Sequence, residues 1–421
     1  MNDKRFSKDG RIQRASLRAG VLSLGAVAAL FAQQGQPVFR AIYNFGGETN
    51  GGGPLTLVAG RGGVLYGTSG SGGSAGIGSV YSLAPPASAG GAWTQEVLYS
   101  YTGPDFISEL NALVVGDGVL YGVNSAGGLG FGEVYSLAPP AEAGDAWVYT
   151  PLYDFTGSPN GAEPTALVVN GGILYGLALG GFSNGAGGVY SLTPPASAGG
   201  AWTENVLYNF SPAYGANFLD LAVGEGGVLY GINAGAPGQV DGIAYSLTPP
   251  QTAGGAWTFN AIYRFVRGGG PYHPDSLRVG SGGVLYGSSR AGGTGTGGEC
   301  TASGCGTIFS LTPPIESGGD WTPTVLYSFD LGLGALPGGI VIGTGGTIYG
   351  SSSTGAGAVF SLTPPSEPGA AWTEALLYQF PPNSSGESVP GNLVFGAGGA
   401  LYGTTAVGGT NGDGTVFQLT P

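Results

Sequence analysis

A short phrase, Leu-Tyr-Gly (once Ile-Tyr-Gly), occurs seven times in this chain, with its tyrosine at Tyr66, Tyr121, Tyr175, Tyr230, Tyr286, Tyr349 and Tyr402. The steps between them are 55, 54, 55, 56, 63 and 53 residues. Each copy brings the same companions in the same order. An aromatic-Ser-Leu phrase follows (Val80-Tyr81-Ser82-Leu83 in the first copy), then Pro-Pro, a tryptophan, and Leu-Tyr-x-Phe or a close variant. Recurrence at such a period specifies an array of supersecondary units, because one irregular domain has no reason to repeat its side chains at fixed spacing.

Each period holds four short apolar runs. In the second copy they are Ala112-Leu113-Val114-Val115, Val119-Leu120-Tyr121-Gly122, Glu133-Val134-Tyr135-Ser136-Leu137 and the stretch from Trp147 to Phe155. Runs of four to six residues bounded by Gly, Pro, Asn and Asp read as strands joined by tight turns, and Gly116-Asp117-Gly118 carries hairpin-turn chemistry. No stretch sustains helical spacing, so the 88 glycines and 29 prolines belong to turns rather than to disorder. Leu113-Val114-Val115 leaves neither face polar, and the first strand is therefore expected to be buried on both. The x of Leu-Tyr-x-Phe is polar in every copy (Asn44, Ser100, Asp154, Asn209, Arg264, Ser328, Gln379), which marks the fourth strand as the wet outer edge.

Four up-and-down strands per unit, repeated seven times, predict an all-β, seven-bladed β-propeller of four-stranded antiparallel blades. Ring closure is also expected. The array opens with an unaccompanied fourth-strand phrase, Ala41-Ile42-Tyr43-Asn44-Phe45, and stops at Thr415-Val416-Phe417-Gln418-Leu419 without one. Residues 38 to 45 should complete the last blade and remove its open edge.

Ahead of the array, six basic residues between Lys4 and Arg18 precede the apolar run Ala19 to Ala32. That run is shorter than the ~20 residues a spanning helix needs and fits a secretory signal peptide cleaved near Ala29 or Ala32, with an uncleaved anchor as the alternative. The expected organisation is residues 1–32 as signal peptide and 33–421 as a single propeller domain, secreted to the extracellular space, the cell surface or the periplasm. Past residue 32 the chain has no lysine and six arginines against 23 acids, a net charge of about −17. Such a field repels nucleic acid and anionic membranes. No membrane insertion after cleavage is expected, and a monomer is.

The phrases Gly-Gly-Val-Leu-Tyr-Gly-Thr (62 to 68), Leu-Tyr-Gly-Thr-Thr (401 to 405), Gly-Cys-Gly-Thr-Ile-Phe-Ser-Leu (304 to 311) and Gly-Thr-Val-Phe-Gln-Leu (414 to 419) resemble the bacterial GloVer tandem repeat of exported proteins, over residues 38 to 421. Leu-Tyr-Gly followed by Tyr-Ser-Leu and a tryptophan is also, more loosely, similar to the kelch blade. The resemblance implies an exported propeller of unassigned role, often ending in a surface anchor; this chain stops at Pro421, inside the repeat.

Chemistry-bearing residues are few. The only histidine is His273, in Gly270-Pro271-Tyr272-His273-Pro274-Asp275. One histidine forbids paired-histidine metal sites, and no repeated pattern supplies a nucleophile for a triad. Cys300 and Cys305 lie in the insertion that lengthens the fifth interval; a disulfide stapling that loop competes with a metal site whose other ligands the sequence lacks. Trp93, Trp147, Trp202, Trp257, Trp321 and Trp372 hold one repeat position each, which suits packing between blades better than sugar platforms. Asn411-Gly412-Asp413-Gly414 resembles part of a calcium loop but lacks the remaining oxygens. No metal and no cofactor are expected, and no catalytic residue is assigned.

Comparing the copies exposes a difference between the two sides of the ring. First-to-second turns (Gly116-Asp117-Gly118, Gly224-Glu225-Gly226) and third-to-fourth turns (Pro85 to Trp93, Pro194 to Trp202) are nearly identical, while the other two loops differ in every blade. The variable side is where recognition is expected. Its candidates are Asp105, Glu109, Glu163, Asp220, Tyr272, His273, Asp275 and Glu387, placed in one class of loop. Two functions compete: a non-enzymatic binding or structural module for an extracellular carbohydrate or protein, and a carbohydrate-active enzyme with paired carboxylates at the channel mouth.

Overall fold

The structure, a computed structural model, describes residues 36–102, 112–235, 242–295, 300, 304–330, 335–353, 357–381 and 393–421, less positions 89, 143, 198, 215–216, 253, 269, 317 and 368. The leader therefore lies outside the described residues. Among those described, regular structure consists of 28 β-strands and seven three-residue 3-10 turns. The strands form seven four-stranded antiparallel sheets, six of them in chain order. Blade one comprises Gly52–Ala59, Leu65–Ser71, Ser79–Ala84 and Thr94–Ser100.

Blade seven closes as its missing strand predicts. Leu393–Phe395, Leu401–Thr405 and Thr415–Thr420 are completed by Val38–Asn44, which pairs from Val38↔Thr420 to Asn44↔Thr415.

The repeated phrases have steric explanations. In every blade the glycine of Leu-Tyr-Gly lies directly opposite the third-strand aromatic: Gly67↔Tyr81, Gly122↔Tyr135, Gly176↔Tyr190, Gly231↔Tyr245, Gly287↔Phe309, Gly350↔Phe360 and Gly403↔Phe417. The ring lies across the glycine, so a Cβ there would collide with it. A second glycine precedes each third strand (Gly78, Gly132, Gly187, Gly242, Gly306, Gly357, Gly414) with φ from 79° to 118°, a region that L side chains avoid. Its carbonyl accepts a hydrogen bond of 2.9 to 3.1 Å from the backbone N–H of the aromatic that ends the fourth strand, from Phe45 to Phe380.

Each fourth strand carries a bulge at the same place, in Leu-Tyr-x-Phe. Val97 and Tyr99 keep partners on the third strand while Leu98 between them has none and turns inward, 7% exposed. The bulge explains how consecutive apolar residues occupy an outer strand whose first residues are exposed. Seven hydrophobic clusters form the core, and each straddles a seam; Phe45 and Val416 of blade seven pack with Leu57, Leu65, Tyr81 and Leu83 of blade one. At every seam the aromatic closing one blade meets the third-strand aromatic of the next at centroid distances of 5.0 to 6.3 Å.

Three expectations need correction. The strand buried along nearly its whole length is the third (Ser79–Leu83 and its equivalents), whereas Val114 and Val115 of the first strand are half-buried. First strands neighbour one another across the seams, and the free edge of each faces the axis rather than a fifth strand. The tryptophans do pack between blades, but all six are half-buried. First-to-second turns are of two kinds: a 3-10 turn in five blades, and two-residue turns at Asp117-Gly118 and Gly171-Gly172 in blades two and three.

Candidate functional site

The alternation of turns and loops gives the ring a turn side and a loop side. First strands begin on the loop side, and four begin with a residue in left-handed backbone followed by proline: Gly53-Pro54, Glu163-Pro164, His273-Pro274 and Leu336-Pro337, with φ of 53° to 56° at the leading residue. The N–H of Gly53, Glu163 and Leu336 donates to a carbonyl in the preceding blade's loop (Asp413, Phe131 and Cys305) at 2.8 to 2.9 Å. Because glycine and leucine share the conformation and the bond, the strain at Glu163 belongs to the blade-to-blade clamp.

The structure therefore moves several candidates from loops into strands. Glu163 lies in Asn160–Asn170, Asp220 in Phe218–Val223, and Tyr272, His273 and Asp275 in Pro271–Val279, all first strands. Tyr272 is 5% exposed, hence a buried strand residue rather than a loop tip. Asp105, Glu109 and Glu387 lie outside the described residues.

Two of the carboxylates meet at the junction of blades four and five. Asp220 accepts hydrogen bonds from the backbone N–H of Leu221 (3.0 Å) and, across the seam, from the N–H of Leu277 (2.9 Å) and the Arg278 guanidinium (2.6 Å). The Leu277 N–H lies on the free inner edge of its sheet, where no strand can satisfy it. Asp275 is paired with Arg290 at 2.6 Å. Burial pushes the Asp275 carboxyl above the ordinary carboxylate range and Asp220 adds to this, while Arg290 and Arg278 pull it back. Nearby, Arg267 donates to the Tyr272 hydroxyl at 3.0 Å and lies 5.2 Å from the centre of its ring. His273 stands edge-on to Tyr272 at 4.3 Å between centroids. Beneath Asp220, the fully buried Tyr245 hydroxyl has no hydrogen-bond partner; burial, then Asp220, raises its pKa.

Arg264, Arg267, Arg278 and Arg290 are four of the six arginines beyond residue 32. Their crowding into blades four and five was countable in the sequence but went unweighed there; what the sequence hid was the pairing with Asp220 and Asp275. The arrangement presents guanidinium groups held in place by carboxylates, with Arg290 57% and Arg278 34% exposed, and is suited to holding an oxygen-bearing ligand.

The other features resolve structurally. Cys300 and Cys305 form a disulfide, and Cys305 is buried against Phe329, Ala335 and Ile340. The Asn411 to Gly414 turn packs blade seven, its Asn411 amide donating to the Phe45 carbonyl at 2.9 Å. Among the described residues no three His, Cys, Asp or Glu side chains converge as a metal site, and no helix is long and apolar enough to cross a membrane.

On the turn side a cleft of about 480 Å³ lies between blades three and four, lined by Tyr175, Ser191, Asn205, Pro250, Gly254 and Trp257 among others. Trp257 meets Tyr175 edge-to-face at 6.0 Å. The same tyrosine-tryptophan contact recurs at five other seams.

Solved structures share the architecture at low identity. The extracellular domain of a hybrid two-component system from B. thetaiotaomicron aligns with a TM-score of 0.54 at 11% identity over 90% of this chain, which spans 39% of that one. An ulvan lyase, a polysaccharide lyase solved with -[GlcA(1-4)Rha3S]-, aligns at 0.52 and 11% identity over 89% of this chain and 95% of its own. A puromycin-hydrolysing peptidase of Mycobacterium tuberculosis aligns at 0.50 and 14% identity over 90% of this chain and 55% of its own. Their differing activities make this a likeness of fold. No curated protein sequence matches the chain. The Gloeobacter/Verrucomicrobia repeat model matches residues 87–301, just over half of the sequence, and with seven blades built from that unit the chain belongs to the Gloeobacter/Verrucomicrobia repeat family.

Proposed function

We propose that this protein is an exported, non-enzymatic binding module whose loop side engages an extracellular carbohydrate or protein. The observation that carries the reading is the contrast between sides: the turn side repeats itself, whereas Asp220, Arg278, Asp275, Arg290, Arg267, Tyr272 and His273 come together at a single junction. Rigid strands position these groups, and a positioned guanidinium cluster favours recognition of oxygen-rich ligands. The Cys300–Cys305 disulfide supports an oxidising compartment, in keeping with the basic and apolar leader of residues 1–32.

The test is a glycan array and a panel of purified extracellular proteins probed with the parent and with Arg290→Ala and Asp275→Asn. Both substitutions should leave melting nearly unchanged and weaken binding at least tenfold. Binding that is indifferent to both overturns the reading.

A second reading, cleavage of a carbohydrate, draws support from Asp275, a carboxyl raised by burial beside a second carboxylate. Against it, both carboxylates are already held by arginines. Release of new reducing ends or unsaturated products from a polysaccharide, abolished by Asp275→Asn, would favour the enzyme.

A further inference from the structure

We infer that the cleft between blades three and four on the turn side is a binding site for a neutral sugar ring, separate from the loop-side cluster. The cleft between blades three and four is built from a row of three directly paired residues: Tyr175 opposite Ser191, and Ser191 opposite Asn205. Direct pairing places all three on one face of the sheet. The next blade supplies the wall, with Trp257 and Pro250. At about 480 Å³ the space lies in the range of small-ligand pockets.

Its chemistry is specific. No charged side chain lines it, and the upward pressure on the Tyr175 hydroxyl comes from burial alone. Ser191 is only 5% exposed. A ligand must therefore be apolar over one face, against Trp257 and Pro250, and carry hydroxyls along one edge, against Tyr175, Ser191 and Asn205. A pyranose ring has that form.

In blades one to five tyrosine, serine and the next blade's tryptophan recur while the fourth-strand member opposite the serine changes: besides Asn205 it is Glu96 opposite Ser82, Thr150 opposite Ser136, Asn260 opposite Ser246 and Thr324 opposite Ser310. In blade seven Gln418 takes the serine's place opposite Tyr402. At the seam between blades six and seven, where ring closure leaves blade seven without the turn that carries the tryptophan, Tyr349 meets the first-strand Phe395, and the residue opposite Ser361 is Ala375, which offers no polar group. Where the closing strand Val38–Asn44 supplies the member, Arg40 donates to the Gly91 carbonyl across the cleft. Packing places no demand on the exposed side chain of Asn205, and its amide beside the buried Ser191 supplies the polar edge that a ligand's hydroxyls would meet.

The experiment titrates the full chain with methyl glucoside, methyl galactoside and methyl mannoside, followed by tryptophan fluorescence and calorimetry, with a proline-rich decapeptide as a second probe. Asn205→Leu fills the cleft at an exposed strand position and leaves the Tyr175–Trp257 contact in place. At least one glycoside should saturate, and the variant should bind one equivalent fewer per chain. Arg290→Ala should leave this binding unchanged, so the loop-side proposal stands or falls separately. The inference is overturned by the absence of saturation up to ~50 mM, well above a millimolar constant. It is equally overturned by unchanged stoichiometry in Asn205→Leu, by loss of glycoside binding in Arg290→Ala, or by binding of the decapeptide alone.

Discussion

On the turn side, six seams repeat one contact, a tryptophan edge against a tyrosine with centroids 5.7 to 6.2 Å apart and planes at 63° to 68°. On the loop side, the junction of blades four and five carries two ion pairs at 2.6 Å. Near-constant geometry at six places reports a shared mechanical need, since each seam must bury the same apolar area. A charged arrangement found once answers no need that the other blades share. Repetition therefore identifies the frame, and a departure from it such as the Asp220 junction identifies where one pair of blades differs from the rest.

The largest effect tests the frame common to both sides. Deleting residues 33 to 45 strips Ile42 and Phe45 from a core cluster and leaves Thr415–Thr420 as an open edge. The thermal midpoint should fall by at least ~5 °C and the protein should self-associate. Scanning calorimetry and light scattering check this, and an unchanged melt would mean that the closing strand contributes little.

Next comes the direct contrast of sides. Trp202→Ala removes a half-buried ring packed on Tyr121 and should cost ~2 to 3 kcal/mol, less than for a fully buried tryptophan. Arg290→Ala, at an exposed pair, should cost within ~1 kcal/mol. Denaturant titration of both variants would break the comparison if the order reversed.

A pH effect comes third. Burial pushes the Glu204 carboxyl from 4.5 up to about 7, and its Oε1 has no hydrogen-bond partner. The folded state then holds its proton more tightly than the unfolded chain, so the Glu204 contribution to stability is fully present below pH 4.5 and is lost as pH rises through about 7. Because the side chain is partly exposed, solvent screening limits the loss to on the order of 1 kcal/mol. Thermal melts of Glu204→Gln across this range should lose that slope. A slope that persists in the variant would assign it to another group, with Asp275 the first to examine.

The smallest effect sharpens the boundary of the charged junction. Tyr245→Phe deletes a buried hydroxyl without a partner at a position where blades five to seven carry Phe309, Phe360 and Phe417. Stability should be unchanged or rise by up to ~1 kcal/mol. A loss would show that the Asp220 cluster reaches into the core.

Much of the architecture was legible because it is written seven times. Blade number, strand order and the closing strand followed from spacing and from the unaccompanied phrase at residues 41 to 45. Burial was less legible. Leu113-Val114-Val115 looks like a strand covered on both faces, yet its free edge meets the axis; the Leu98 bulge that shifts every fourth strand leaves no distinctive residue behind. The candidate site was legible only in part. Asp220 and Asp275 drew notice as carboxylates, but the arginines that hold them did not.

The sequence by itself determined the repeat, its strands, its glycines and the seven-fold closed ring, because these depend on local sterics and on a period read from one copy to the next. Only the tertiary structure decided which side chains share a junction. Asp220 and Arg278 stand 58 residues apart, about one period, and become partners because ring formation lays the free inner edge of one blade's sheet beside the next. That edge has backbone N–H groups no strand can satisfy, and the carboxylate that bonds one of them also orients the arginine, a choice made by packing between blades and not by anything within one repeat.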